Sequence, residues 1–267
     1  MVDPETVKGI VRSNFDESPL SYDDFEGKFN LFQNLTEQLA ADCGIQRGMT
    51  VVDVGCGTGA STRVLADIVG YEGTVIGLDF SEDMLRAAAD NLGDLTNISL
   101  ILCDAERLGE KIRTDVDAVM YTASIFLIPD SAGSLAGAHD ILKEGGIVGM
   151  NYLIGMFDNE SGTNQFFQAK EEGLDFAPYG RKIMDTDSIP TTLKETGFKH
   201  INSGITPILM DLAQVRDFYA IPAQSAGLYP KAPYKERLEL LDALIGHIRE
   251  KGPTSLVQRW GWYTARK

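Results

Sequence analysis

Short apolar runs alternate with amphipathic stretches through the middle of this chain. The amphipathic stretches have apolar residues at helical spacing, and the runs are short enough to be strands that are buried on both faces. This alternation predicts an α/β fold with a doubly wound, mostly parallel sheet. The predicted strands are 51–54, 74–79, 98–102, 117–122 and the second half of 141–148.

Two further strands are predicted near the end of the chain, at 200–209 and 256–265, and they would bring the sheet to seven strands. Roughly 45 residues separate these two strands, which is far longer than an ordinary connection. Because 235–248 has strong helical periodicity, we predict an inserted helical cap over 211–252. The sheet domain would then comprise 46–210 and 253–267, preceded by an N-terminal arm over 1–45.

The most informative motif follows the first predicted strand, where Asp53 precedes the alternating glycines Gly55, Gly57 and Gly59. Glycine is needed where the backbone turns sharply and a ligand approaches it closely. Part of this pattern also fits the loop that binds dinucleotides in dehydrogenases. Asp53 favours a ligand with a positively charged group at this point, because a carboxylate would repel a pyrophosphate.

With Asp53 and Gly59 included, the segment resembles motif I of the class I methyltransferases, which bind S-adenosylmethionine (SAM). The resemblance implies a Rossmann-like fold in which the backbone of Gly55 and Gly57 contacts SAM and Asp53 orients its amino acid end. Asp79, at the end of the second predicted strand, would accept both ribose hydroxyls, as an acid does in dehydrogenases too.

The same resemblance assigns the adenine end of SAM. Met84 and Ala105 would flank the adenine, and Asp104 would accept a hydrogen bond from its amino group. Phe80 and Tyr121 complete the predicted cofactor-binding residues. Acids and glycines at this spacing over about 100 residues are specific to the family.

The segment 14–25 resembles the N-terminal part of methyltransferases of quinone biosynthesis and of the malonyl-carrier methyltransferase of the biotin pathway. In those enzymes this part closes over the cofactor, and its tyrosine reaches the methionine end. Tyr22 is the matching residue here. The alternative is that Tyr22 and Phe25 only pack the arm onto the core.

The predicted activity is methyl transfer to a small metabolite by in-line displacement, through proximity and orientation. No catalytic base is evident, since Thr122 and Phe126 stand where many relatives carry Asn and His. Tyr22 and Thr122 are the candidates for a catalytic role. The alternatives are a SAM-binding protein without catalysis and an NAD(P)-dependent oxidoreductase, the latter disfavoured by Asp53 and Asp104.

Composition restricts the partners. The formal charge of −15 comes without a block of basic residues, which argues against nucleic acid. No apolar run has the length of a membrane span and no secretory signal is visible. Three scattered cysteines suit neither disulfides nor zinc, and no residue set has metal-ligand spacing, so we expect a cytoplasmic protein without a metal. Aromatic residues after position 152 favour an uncharged or weakly charged acceptor with an apolar or planar body.

Overall fold

The computed structural model describes residues 4–93, 95–177 and 188–267. Its centre is a seven-stranded sheet with the strand order β3-β2-β1-β4-β5-β7-β6. The first five strands are parallel to one another, and β7 runs antiparallel between β5 and β6. The predicted α/β, mostly parallel sheet is therefore confirmed. The strands are β1 Thr50–Val54, β2 Thr74–Asp79, β3 Ile98–Leu102, β4 Val116–Tyr121, β5 Leu142–Asp158, β6 Lys199–Asp211 and β7 Ser255–Arg266.

Helices cover both faces of the sheet and form the segments outside it. The N-terminal arm consists of α1 Pro4–Asp16, α2 Pro19–Phe29 and α3 Leu31–Cys43. The helices between the strands are α4 Ala60–Val69, α5 Glu82–Leu92, α6 Leu108–Lys111, α7 Ser131–Ile141, α8 Gln165–Glu171 and α9 Ile189–Glu195. The connection from β6 to β7 contains α10 Leu212–Ala220, α11 Pro222–Leu228 and α12 Tyr234–Glu250.

β5 differs from the prediction of a short strand that ends at 148. It begins directly after α7 and extends to Asp158, because β7 pairs with it well beyond the last residue that pairs with β4. β6 and β7 are similarly long. The antiparallel half of the sheet therefore projects past the carboxyl ends of the parallel strands and forms a wall beside them.

The connection between β6 and β7 has no separate core. Phe218 of α10 and Leu244 of α12 share one buried cluster with Phe25 and Leu31 of the arm and Trp260 of β7. The segment 211–252, predicted as an inserted helical cap, therefore buries apolar surface together with the arm. The arm and the insertion are therefore one packing unit over the projecting strands.

Candidate active site

A cavity of about 680 Å³ opens at the carboxyl ends of the parallel strands, the usual ligand position in an open α/β sheet. Its volume lies within the range of small-molecule sites. The glycine loop after β1 lines one half, together with Thr122 directly after the end of β4. The arm, β5, β7 and the insertion line the other half.

The glycine loop forms one wall of the cavity and depends on left-handed backbone conformations. Gly55 has a φ of +74°, and a Cβ there would lie 2.6 Å from Ser124 Cβ. Gly57 has a φ of +54° and open space beside it, and both residues line the cavity. Gly59 does not line it. A Cβ on Gly59 would meet Leu92 Cγ at 3.0 Å, so this glycine permits close packing of α4 on α5.

Asp53 lies directly behind the cavity wall. Its Oδ2 accepts hydrogen bonds from Ser61 Oγ at 2.7 Å and Thr62 Oγ1 at 2.6 Å, while Oδ1 is buried and has no partner. Complete burial raises the pKa of Asp53 to about 6, against the lowering effect of the two hydroxyl donors. Ser61 lines the cavity, so its hydroxyl would lie between the Asp53 carboxylate and a bound ligand.

Asp79 ends β2 and holds the glycine loop. Its Oδ2 accepts from the backbone N–H of Gly57 at 2.9 Å and its Oδ1 from that of Ser81 at 3.0 Å. Burial raises the pKa of Asp79, and these backbone donors oppose that rise. The carboxylate therefore supports the loop conformation, and it is not among the residues that line the cavity.

Helix α1 covers the ends of β2 and β3, where the adenosine of SAM was predicted to bind. Lys8 Nζ lies 2.8 Å from Asp104 Oδ2 and also pairs with Glu106. Asp104 caps the short helical turn that contains Ala105, and neither of these two residues lines the cavity. Lys8 of α1 is thus paired with Asp104, the carboxylate predicted to accept a hydrogen bond from the adenine amino group.

Two more contacts fasten α1 over this region. The Arg12 guanidinium lies 5.3 Å from the ring centre of Phe80, and Ser81 Oγ donates to Asp16 Oδ1 at 2.5 Å. Met84, one turn further along α5, is buried and lines the cavity. Helix α1 therefore covers the region of the residues predicted to surround the adenine.

The structure corrects the prediction for Tyr121. Its ring is fully buried in the core beneath α7, and its hydroxyl lies 2.9 Å from Ser134 Oγ. Successive residues of a strand face opposite sides, so Tyr121 points away from the cavity and the next residue, Thr122, lines it. The Tyr121 side chain is therefore a core residue.

The turn after β4 is strained and firmly held. Thr122 Oγ1 is buried without a hydrogen-bond partner, and Ala123 has a φ of +54°, unusual for a residue with a side chain. Asn151 Oδ1 on β5 accepts from the Ala123 N–H at 2.6 Å, and Ser124 Oγ donates to the Val54 carbonyl at 2.6 Å. Such strain concentrates at functional sites.

Tyr22 connects the arm to the insertion at the cavity wall. Gln224 Nε2 of α11 donates to its hydroxyl oxygen at 2.9 Å. The ring packs between Phe15 and Phe32, at centroid distances of 5.9 Å and 5.7 Å. Nearby, the Ala223 N–H donates to Ser18 Oγ at 3.0 Å. Tyr22 therefore has a fixed position beside the cavity.

Aromatic rings dominate the half of the cavity that lies away from the glycine loop. They come from the arm, from the turn after β4, from β5, α8 and α10, and from β7. Besides Phe15, Tyr22 and Phe32 of the arm, the described aromatic residues of this half are Phe126, Tyr152, Phe167, Phe218, Tyr219 and Trp260. Residues 178–187, which include the aromatic Tyr179, lie outside the part of the chain that the structure describes.

A family model described as a methyltransferase domain matches residues 45–194, which contain the glycine loop, Asp79 and Asp104. The chain belongs to this methyltransferase family. The resemblance to class I SAM-dependent methyltransferases is thereby confirmed, and the oxidoreductase alternative is set aside.

Two curated relatives illustrate the match. The aklanonic acid methyltransferase DauC of Streptomyces sp. strain C5 is 36% identical over 141 residues, which are 52% of this chain and 63% of that protein. A demethylmenaquinone methyltransferase of Staphylococcus aureus is 31% identical over 150 residues, which are 55% of this chain and 62% of that protein. In both cases the match spans slightly less than two thirds of the relative.

Solved methyltransferase structures share the fold of this chain. Phosphoethanolamine N-methyltransferase 2 of Haemonchus contortus aligns with a TM-score of 0.58 at 18% identity, over 94% of this chain and 57% of that one. A methyltransferase from Bacillus halodurans aligns with a TM-score of 0.58 at 18% identity, over 87% of this chain and 98% of that one.

Within the described ranges, no three His, Cys, Asp or Glu side chains form a group that could hold a metal ion. No helix among those residues combines the length and apolar character that crossing a bilayer requires. The three cysteines, Cys43, Cys56 and Cys103, are buried and free.

Sequence reasoning missed Gln224, Ser61 and Lys8, which contact predicted site residues, and Asn151, which bonds the residue after Thr122. Gln224 and Lys8 lie 202 and 96 residues from their partners, so no local pattern identifies them. Ser61 follows the glycine loop at the start of α4, and its position there was the one available signal.

Proposed function

We propose that this chain transfers a methyl group from SAM to a small-molecule acceptor. The observation that carries the proposal is a single cavity that joins the glycine loop at one end to an aromatic wall at the other. A donor and an acceptor bound at these two ends would share one enclosed space. SAM, when bound, supplies the electrophilic methyl group, and the protein supplies orientation and exclusion of water.

The methionine end of SAM fits the residues around the glycine loop. Gly57 leaves open space for a close approach to the backbone. The buried carboxylate of Asp53, behind Ser61, attracts a positively charged amino group. Thr122 Oγ1 has no hydrogen-bond partner among the described residues and can bond a polar group of the ligand.

The adenosine end would use Asp79 for the ribose and Asp104 for the adenine amino group, with Phe80, Met84 and Ala105 around the base. Asp104 Oδ2 is paired with Lys8, so an adenine amino group would share this carboxylate with the ammonium group or displace it. Glu106 offers Lys8 a second carboxylate. The exchange therefore does not leave the ammonium group unpaired.

The acceptor would bind against the aromatic wall, and we propose a small molecule with an apolar or planar body. Two sequence relatives carry names that refer to aklanonic acid and demethylmenaquinone, which are small molecules. The formal charge of −15 opposes binding to a phosphate backbone. Three free cysteines are compatible with a reducing compartment, and we propose a cytoplasmic location.

The catalytic contribution that we propose is positioning. Tyr22 and Thr122 both line the cavity and can hold the acceptor or the methionine end of SAM. Burial raises the pKa of the Tyr22 hydroxyl, so this group donates a hydrogen bond and does not act as a base near neutral pH.

A screen with methyl-labelled SAM tests the activity. The native protein is incubated with an extract of small metabolites, and labelled products are separated by chromatography. We expect a labelled product that the Asp53→Asn and Asp79→Ala variants form more slowly. SAM binding without any labelled product would indicate the alternative of a SAM-binding protein that does not catalyse transfer.

A further inference from the structure

The polar groups that line the cavity include the phenol of Tyr22 and the cation of Lys231. Tyr22 receives a hydrogen bond from Gln224 on its oxygen, and no described residue accepts the hydroxyl hydrogen. Since burial keeps this phenol protonated, its O–H group is available to a ligand. Gln224 controls where that O–H group is held, because its amide fixes the oxygen.

Lys231 adds a positive charge to the same wall. It follows α11 closely in the chain and lines the cavity together with Gln224 and Leu228. It is exposed and forms no ion pair with any described residue. All the other described residues of the cavity lining are uncharged.

This charge distribution is unusual for the chain as a whole. The chain has 39 acidic and 24 basic residues, yet the described lining carries one lysine and no carboxylate. A ligand that fills the cavity would cover part of Lys231 from water, and attraction between opposite charges is stronger away from water. The acceptor side therefore favours an anionic ligand, although the protein as a whole repels anions.

We propose that the acceptor carries an acidic oxygen group, such as a carboxylate or an ionised enol, which Tyr22 and Lys231 recognise. This inference rests on the proposed function and specifies its substrate class. Tyr22 donates its hydroxyl hydrogen to the anionic oxygen, in a charge-assisted bond that is stronger than a neutral one. Lys231 supplies the compensating charge at the outer end of the wall. Gln224 is a positioning residue that acts through Tyr22.

A matched pair of probes tests the proposal. Naphthalene-2-carboxylate and naphthalene-2-carboxamide have nearly the same planar shape and differ in charge. Each is titrated by calorimetry into the full chain at pH 7 with saturating S-adenosylhomocysteine. We expect the carboxylate to bind about tenfold more tightly than the amide, because a hydrogen bond to a charged group is worth more than a neutral one.

The variants identify the residues responsible. Tyr22→Phe should bring the two affinities to within about twofold, and Gln224→Met should lower the preference while S-adenosylhomocysteine still binds. Lys231→Met should reduce the salt dependence of carboxylate binding. Exposed residues away from the cavity provide the controls Tyr71→Phe and Lys235→Met, which should preserve the preference. A purely structural role would weaken both probes equally.

Two outcomes would overturn the proposal. One is equal binding, or no binding, of the two probes by the native protein. The other is a carboxylate preference that persists in both Tyr22→Phe and Lys231→Met. Failure of S-adenosylhomocysteine to bind would instead contradict the proposed function, so the two failures can be told apart.

Discussion

Replacing Asp53 by Asn should stabilise the fold and weaken the binding of SAM. Asp53 is completely buried, its Oδ2 accepts two hydroxyl hydrogen bonds and its Oδ1 has no partner. An asparagine of the same shape can keep both hydroxyl bonds through its oxygen. It removes the buried charge, which the fold accommodates at a cost in stability.

The magnitude follows from the pKa of Asp53, which burial raises from 3.8 to about 6. Between these values the folded chain retains a proton that the unfolded chain has released. Stability therefore falls as the pH rises through this window, by about 3 kcal/mol in total, and the cost persists above pH 6. About 2 kcal/mol of this change lies between pH 4.5 and pH 7.5.

An unpaired amide nitrogen in place of Oδ1 would cost Asp53→Asn about 1 kcal/mol at every pH. The variant should therefore be about 2 kcal/mol more stable than the native chain at pH 7.5. At pH 4.5 this advantage should almost vanish. SAM affinity at pH 7.5 should fall about tenfold, because the amino group of SAM loses a neighbouring negative charge.

Urea denaturation at the two pH values measures the stability, and calorimetry measures the affinity. Asp67 is exposed on the same helix as Ser61 and Thr62, so Asp67→Asn is a matched control that should change neither quantity. The reasoning would be refuted if Asp53→Asn and the native chain differed in stability by the same amount at both pH values.

Four other substitutions test separate parts of the site. Asp79→Ala should weaken SAM binding by about 2–3 kcal/mol in calorimetry, because ribose hydroxyls would lose their acceptor, and an unchanged affinity would reject the ribose assignment. Gly55→Ala should lower stability to urea by about 3 kcal/mol, from a strained φ and a steric clash. Gly57→Ala, with open space beside it, should cost only about 1–2 kcal/mol, and equal costs would contradict the packing argument. Lys8→Met should speed amide hydrogen exchange in α1 and leave the strands unchanged, since it breaks the pairs with the strand ends. Exchange in α1 that matches the native rate would show that other contacts hold the helix.

Local patterns predicted the parallel strands and the glycine loop well. Strands buried on both faces produce apolar runs, and the left-handed φ values of Gly55 and Gly57 select glycine. The length of β5 was not predictable in this way, because its second half exists through pairing with β7. Tyr121 was predicted to bind the cofactor because the sequence alone does not show which face of β4 packs against α7.

The contacts that complete the site are long-range. Lys8 reaches Asp104 only when α1 lies over the sheet edge, and Gln224 reaches Tyr22 only when the insertion packs on the arm. The shared core of these two segments is likewise a tertiary feature. Residues far apart in the chain carry no common periodicity, so their pairing emerges only from the folded structure.

Calorimetric titration of the native protein with SAM, S-adenosylhomocysteine and NAD tests the central claim most directly. The positively charged end of SAM would lie near the buried carboxylate of Asp53 behind the glycine loop, whereas the pyrophosphate of NAD would be repelled there. We expect SAM and S-adenosylhomocysteine to bind with micromolar affinity or tighter, and NAD to show no measurable heat. Binding of NAD without binding of SAM would contradict the account.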